Sequence, residues 1–249
     1  MTIKMDASKV KKSFVENGYV HLPGFLKQDQ VAEINARLKD LVNTKVANMP
    51  SEHVKYEVKG DATTLKMLQD LQLYDPFFAE VLFDSTFTKL AEHLLEEKVI
   101  GKTLEYFNKP PKIGNATPPH QDGFYFMLDP MSAVTMWLAL EEVDQENGWV
   151  SYVRGSHKKG IRDHSPTQTL GFSQGIADFG TPEDLENEVF FPARPGDLLV
   201  PHALTIHRAS PNTSSQRSRK AMGLIYFGTS AKEDVAAKAA YVKALNQST

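Results

Sequence analysis

The chain changes texture near residue 99, and that change limits its fold more than any other feature. Before it, apolar residues recur at helical spacing; after it, short extended runs are separated by Gly, Pro, Asn and Asp. In the first part, Val10 and Phe14 place a short helix over 8–16, stopped by Asn17-Gly18 and followed by a strand over 19–22. Val31, Ile34, Leu38, Leu41 and Val42 define an amphipathic helix over 28–47. A brief strand is expected around 54–58, and two further helices over 65–73 and 75–95. The later part yields eight short strands, at 103–108, 120–126, 133–141, 150–153, 188–191, 197–201, 204–207 and 219–227. Helices first and paired strands after predict a mainly β fold with added helices: a double-stranded β-helix, or jelly roll, flanked by an N-terminal helical layer.

Nothing in composition divides the chain, so a single domain over 1–249 is expected. It comprises a mainly helical part at 1–98, a jelly-roll core at 99–228 and a C-terminal helix at 231–246. Residues 157–182 are long, rich in Gly, Ser, Thr and His, and without strong period, which suits a lid-like insertion. A net charge of -3 and a pI near 6.2 supply no basic field, so nucleic acid and anionic membrane are poor partners. The absence of cysteine excludes disulfides, thiolate zinc sites and iron–sulfur clusters, leaving His, Asp and Glu as metal ligands. The first residues lack the apolar core of a signal peptide and no apolar run approaches about 18 residues, so a cytoplasmic location is expected. No feature sets an oligomeric state.

Within 120–126, His120 and Asp122 lie two apart, which on a strand means one face. A histidine and a carboxylate side by side are two-thirds of the 2-His-1-carboxylate site that leaves positions open on non-haem Fe(II). His157, His164, His202 and His207 are the downstream candidates for the third ligand. His157 sits in a loop, where a histidine more often bonds a backbone carbonyl, and His164 falls in the lid. His202 and His207 are five apart, so if the run between them is extended at most one faces the barrel; His207, before a turn-rich segment, is at the better place for a barrel mouth. A 2-oxo acid chelating Fe(II) would leave a distal carboxylate buried, where a bidentate guanidinium is the natural partner. Arg219 opens a long apolar strand and shares parity with Ala221, Gly223 and Ile225, whereas Arg217, Arg219 and Lys220 taken singly read as a solvated basic turn.

These residues, with Phe14-x-x-x-Gly18-Tyr19-Val20, Leu22-Pro23-Gly24-Phe25-Leu26, Trp137-x-x-Leu140, Glu146-Asn147-Gly148, Gly155-Ser156-His157, Pro195-Gly196-Asp197 and Arg219-Lys220-Ala221, resemble the phytanoyl-CoA hydroxylase family of Fe(II)/2-oxoglutarate dioxygenases. The resemblance implies a cupin-like jelly roll and iron ligands at His120, Asp122 and His207. It also implies a 2-oxoglutarate pocket with Arg219, or Arg217 because the preceding loop is one residue longer, together with Trp137 and, on a helix before the barrel, Lys66. Its implied chemistry joins Fe(II), 2-oxoglutarate and O2 to oxidise an unactivated C–H bond of a small molecule with release of succinate and CO2. Asp122 favours hydroxylation, desaturation or another oxidation over halogenation, because related iron halogenases carry a small residue there. Phe124, Tyr125, Phe126 and Trp149 are candidates to shape the cavity, although strand aromatics are more often core. The sequence also admits a non-catalytic iron or 2-oxoglutarate sensor, or a cupin-type enzyme using another metal.

Overall fold

A computed structural model describes residues 6–169 and 171–247. The elements run α1 (Ala7–Asn17), β1 (Tyr19–Leu22), α2 (Gln28–Thr44), β2 (Val54–Tyr56), β3 (Leu65–Leu68), α3 (Pro76–Phe83), α4 (Thr86–Leu95) and β4 (Val99–Lys109). Next come β5 (Thr117–His120), α5 (Asp122–Phe126), β6 (Leu128–Asp129), β7 (Ala133–Ala139), β8 (Val150–Val153), β9 (His164–Thr169), β10 (Phe172–Ile176) and α6 (Pro182–Asn187). The chain closes through β11 (Glu188–Phe191), β12 (Leu198–Pro201), β13 (His207–Ala209), β14 (Arg219–Gly228), β15 (Lys232–Glu233) and α7 (Val235–Gln247).

A seven-stranded antiparallel sheet, ordered β1-β12-β7-β14-β4-β3-β2, faces a four-stranded one, β11-β8-β13-β5. The jelly roll is therefore present, and alternation along the large sheet explains its two covered faces. Met222, Leu224 and Tyr226 of β14 turn outward with Val134, Met136 and Leu138 of β7, and pack beneath α2, α3 and α4. The opposite parity places Trp137, Ala139 and Ala221 against Val150 and Tyr152 of the small sheet. Helix α1 stops at Gly18, whose φ of 85° takes the left-handed cap; a Cβ there would sit 2.3 Å from His157 Nδ1.

Four expectations are corrected. The run 65–73 is not a helix: Leu65–Leu68 pairs as β3 between β2 and β4, and only Leu71–Leu73 makes a 3-10 turn. Its leucines satisfy either period, and burial of all four strand residues decided for the sheet. The expected helix over 75–95 is two, because Ser85 accepts from Phe87 N at 3.1 Å and caps a fresh start. The strand over 120–126 ends at His120, and Asp122–Phe126 is a helical turn. The strand over 204–207 is a turn in which Leu204 N donates to His202 Nδ1 at 3.1 Å and Thr205 N to His202 O at 2.8 Å. The 157–182 insertion folds in part as the β9–β10 hairpin. Among the described residues, no helix is long and apolar enough to cross a membrane.

Candidate active site

Strand pairing of β13 with β5 sets His207 opposite His120, with ring centroids 4.1 Å apart. Beyond His120 the chain is pinned by Gln121, whose amide donates to Gly160 O and Leu204 O and accepts from Arg162 N. That pinning directs the chain into α5, where Asp122 enters on the first turn. Asp122 Oδ1 lies 3.6 Å from Nε2 of His120 and 3.6 Å from Nε2 of His207. Ligand atoms of the three residues lie within 4.8 Å of one another, the one such cluster among the described residues.

Each of the three side chains is also held from behind. His120 Nδ1 donates to Pro118 O at 2.8 Å and His207 Nδ1 to Thr205 O at 2.9 Å, which leaves each Nε2 lone pair facing the cluster. Thr135 donates its hydroxyl to Asp122 Oδ2 at 2.6 Å, so Oδ1 is the oxygen left for a metal. Burial raises the Asp122 pKa, but His207, His120 and the Thr135 hydroxyl together bring it down to about 2. Burial lowers His207 to about 4, with His120 adding to the fall and Asp122 opposing it. Neutral imidazoles beside an ionised carboxylate form the donor state a divalent cation requires. Thr135→Val keeps the shape and removes the hydroxyl; Fe(II) affinity is expected to fall about 10- to 100-fold in an anaerobic titration, with the fold unchanged by circular dichroism.

The cluster opens onto a cavity of about 290 Å³ between the two sheets. Arg219 lines it, 4% exposed, and stands over the Trp137 ring with its guanidinium carbon 5.6 Å from the centroid. Its Nε has no hydrogen-bond partner, and it makes no ion pair among the described residues. Burial brings the Arg219 pKa down to about 10. A buried, unpartnered guanidinium fits the distal carboxylate of a 2-oxo diacid. Lys66, on a strand and not a helix, also lines the cavity and pairs with Glu57 at 3.2 Å. Arg217 lies outside the cavity lining, where Asp144 at 2.8 Å and Glu146 at 2.5 Å hold it.

The other three histidines considered as the third ligand lie elsewhere. His157 Nε2 meets the Val15 carbonyl at 3.1 Å, and His202 lies against Phe14 and His157. His164 bonds Gln121 N and Arg162 O and stacks on Phe124 at 4.2 Å, tying the hairpin to the backbone between the first two candidate ligands. Tyr125 and Phe126 line the cavity; Phe124 and Trp149 do not.

Sequence reasoning passed over two buried charged residues on the inner face of β4. Lys109 sits opposite Arg219 and donates to Asn115 O at 2.5 Å and Ser210 O at 2.8 Å. Burial, with Arg219 and Lys66 nearby, holds its ammonium well below the usual lysine range. Glu105 sits opposite Gly223, and burial raises its carboxyl to about 7. Gly223 leaves room for the Phe107 ring, which lies over it: a Cβ there would sit 2.6 Å from Phe107 Cε2. Their parity with Phe107 was the available signal.

A raised carboxyl keeps its proton in the folded chain after the unfolded chain has lost it. The stability Glu105 contributes is full below its usual value of 4.5 and is lost as pH rises through about 7, a change on the order of 3 kcal/mol. Glu105→Gln is expected to flatten that fall, read as urea-unfolding free energies at pH 5 and pH 8.

The sequence profile of the phytanoyl-CoA dioxygenase (PhyH) family matches residues 14–221. A 1-deoxypentalenic acid 11-beta-hydroxylase of Streptomyces exfoliatus is 30% identical over 243 residues, covering 88% of this chain and 80% of its own. Phytanoyl-CoA dioxygenase 1 of Oryza sativa subsp. japonica is 28% identical over 253 residues, 87% of each. Among solved structures, the epimerase SnoN in complex with Fe3+, alpha ketoglutarate and nogalamycin RO superposes with a TM-score of 0.71 at 26% identity, covering 91% of this chain and 85% of that one.

Proposed function

The chain belongs to the phytanoyl-CoA dioxygenase family and is an oxygenase that uses Fe(II), 2-oxoglutarate and O2; from that premise we propose that it hydroxylates an unactivated C–H bond of a small molecule. In this reading His120, Asp122 and His207 hold the iron, and Arg219, Trp137 and Lys66 form the 2-oxoglutarate pocket. Fe(II) with its cosubstrates supplies the oxidation: one oxygen atom of O2 enters the substrate as hydroxyl and the other enters succinate, as 2-oxoglutarate loses CO2.

The chain's own residues set the geometry for that chemistry. Thr135 fixes which Asp122 oxygen ligates, and the Pro118 and Thr205 carbonyls fix the imidazole tautomers. Arg219 takes the distal carboxylate and, lying across Trp137, sets how far the diacid reaches toward the histidines. Tyr152, Val150 and Phe126 line the space around the candidate ligands and restrict water there.

Asp122 argues against halogenation, since a carboxylate would occupy the place a halide takes, and its position beside two neutral imidazoles supports iron binding. Hydroxylation is also the reaction that names the Streptomyces relative, whereas SnoN is an epimerase, so the product decides. With protein loaded anaerobically with Fe(II), candidate small molecules that stimulate succinate formation under isotopically labelled O2 are expected to give a product carrying one labelled oxygen. A product without label would overturn hydroxylation while leaving 2-oxoglutarate use intact.

A further inference from the structure

The cavity is divided by charge. Lys66, Lys109 and Arg219 gather at one end, with Glu57 as the acid bonded to Lys66. At the other end is Glu105. The register places it opposite Gly223, four residues along β14 from Arg219, or about 13 Å at the rise of a strand. Its carboxyl has one hydrogen bond among the described residues, from Gln69 Nε2 to Oε1 at 2.9 Å. The second oxygen has no donor among the described residues, although the residue lines the cavity. The charged groups acting on Glu105 are two further carboxylates, Asp122 and Asp70; no lysine or arginine is among them.

Once ionised, that carboxyl has no counter-charge among the described residues, and a cation beside it would hold it in the ionised form. On β4, Phe107 stands between Glu105 and Lys109 in sequence, and its ring lies over Gly223, the residue opposite Glu105. A 2-oxo diacid is drawn to the cationic end, so the partner for Glu105 must come with the other reactant. Met67, Tyr125 and Phe126 add apolar surface to the same cavity.

We propose that Glu105 is the substrate-orienting residue of this cavity and that the substrate presents a cationic amine to it. The inference rests on the oxygenase reading above. A charge-assisted hydrogen bond to Glu105 ties the substrate nitrogen to the Gln69 side of the cavity and so fixes which C–H bond faces the iron ligands. Neutral and acidic molecules of the same shape lack that bond, and acidic ones are repelled.

The test uses the protein loaded with Fe(II) and 2-oxoglutarate without O2, and calorimetric titration with primary amines from methylamine to cyclohexylamine, each beside its alcohol. In the wild type at least one amine is expected to bind about tenfold or more tightly than its alcohol, the size of one hydrogen bond to a charged group. Glu105→Gln is expected to erase that preference and Glu105→Asp to keep most of it, with 2-oxoglutarate affinity within about twofold in both. Equal binding of every amine and alcohol by the wild type, or a preference surviving in Glu105→Gln, overturns the proposal without needing any variant to succeed elsewhere. A large loss of 2-oxoglutarate affinity in Glu105→Gln also overturns it, by assigning the residue to the cosubstrate. If the wild type fails to bind 2-oxoglutarate at all, the oxygenase reading itself falls.

Discussion

His120→Ala is expected to abolish O2-dependent conversion of 2-oxoglutarate to succinate and to weaken Fe(II) binding by more than about 100-fold, beyond the effect of disturbing a ligand's support. The residue is 2% exposed, its Nδ1 is spent on the Pro118 carbonyl, and its Nε2 and that of His207 flank one oxygen of Asp122. Alanine leaves an imidazole and a carboxylate, which together cannot enclose the ion. The fold should survive, because His120 ends its strand and the β5–β13 pairing runs through the backbone. Elemental analysis after anaerobic loading and desalting reads the result directly. The same loss is expected for His207→Ala, whereas His202→Ala, five residues away and against Phe14, should bind iron as the wild type does.

Arg219→Ala should act on the cosubstrate and leave the metal in place. Among the described residues the guanidinium is buried without an ion-pair partner, so an anion entering the pocket would balance it. Truncating one member of a buried, hydrogen-bonded charge pair costs about 2–4 kcal/mol, or roughly 30- to 1000-fold in 2-oxoglutarate affinity. Arg219→Lys is expected to recover only part of this, since a point charge cannot grip a carboxylate through two parallel bonds. Fe(II) affinity in both variants should match the wild type. Arg217→Ala should change neither, because its partners are Asp144 and Glu146 outside the cavity.

Much of this was legible in the sequence, for identifiable reasons. Strands β7, β8, β11 and β14 were found close to their bounds because alternating apolar runs end in turn residues. Arg219 was singled out by parity with Ala221 and Gly223, and the register carries all three along β14. The pair His120 and Asp122 was found by a strand argument although no strand joins them: Gln121, anchored to Gly160 and Leu204, bends the chain into α5. Such long-range anchoring leaves no local pattern. The preference for His207 over His202 also rested on an extended run that is a turn, and it is the pairing of β13 with β5 that brings His207 beside His120. Lys66 was assigned to a helix because leucines spaced over 65–73 fit that period, until the unfilled edge of β4 took them as a strand. Glu105 and Lys109 were passed over because a charged residue at or beside a short strand carries no local sign of burial; only the closure of two sheets over them makes them cavity residues.

The most direct measurement is anaerobic titration of Fe(II) and then 2-oxoglutarate into the wild type and His207→Ala, following the weak visible band of the Fe(II)–2-oxoglutarate chelate and then succinate after O2 is admitted. The triad predicts one chelate per wild-type chain, with the band and succinate both lost in His207→Ala. A full band and undiminished succinate in His207→Ala would contradict it.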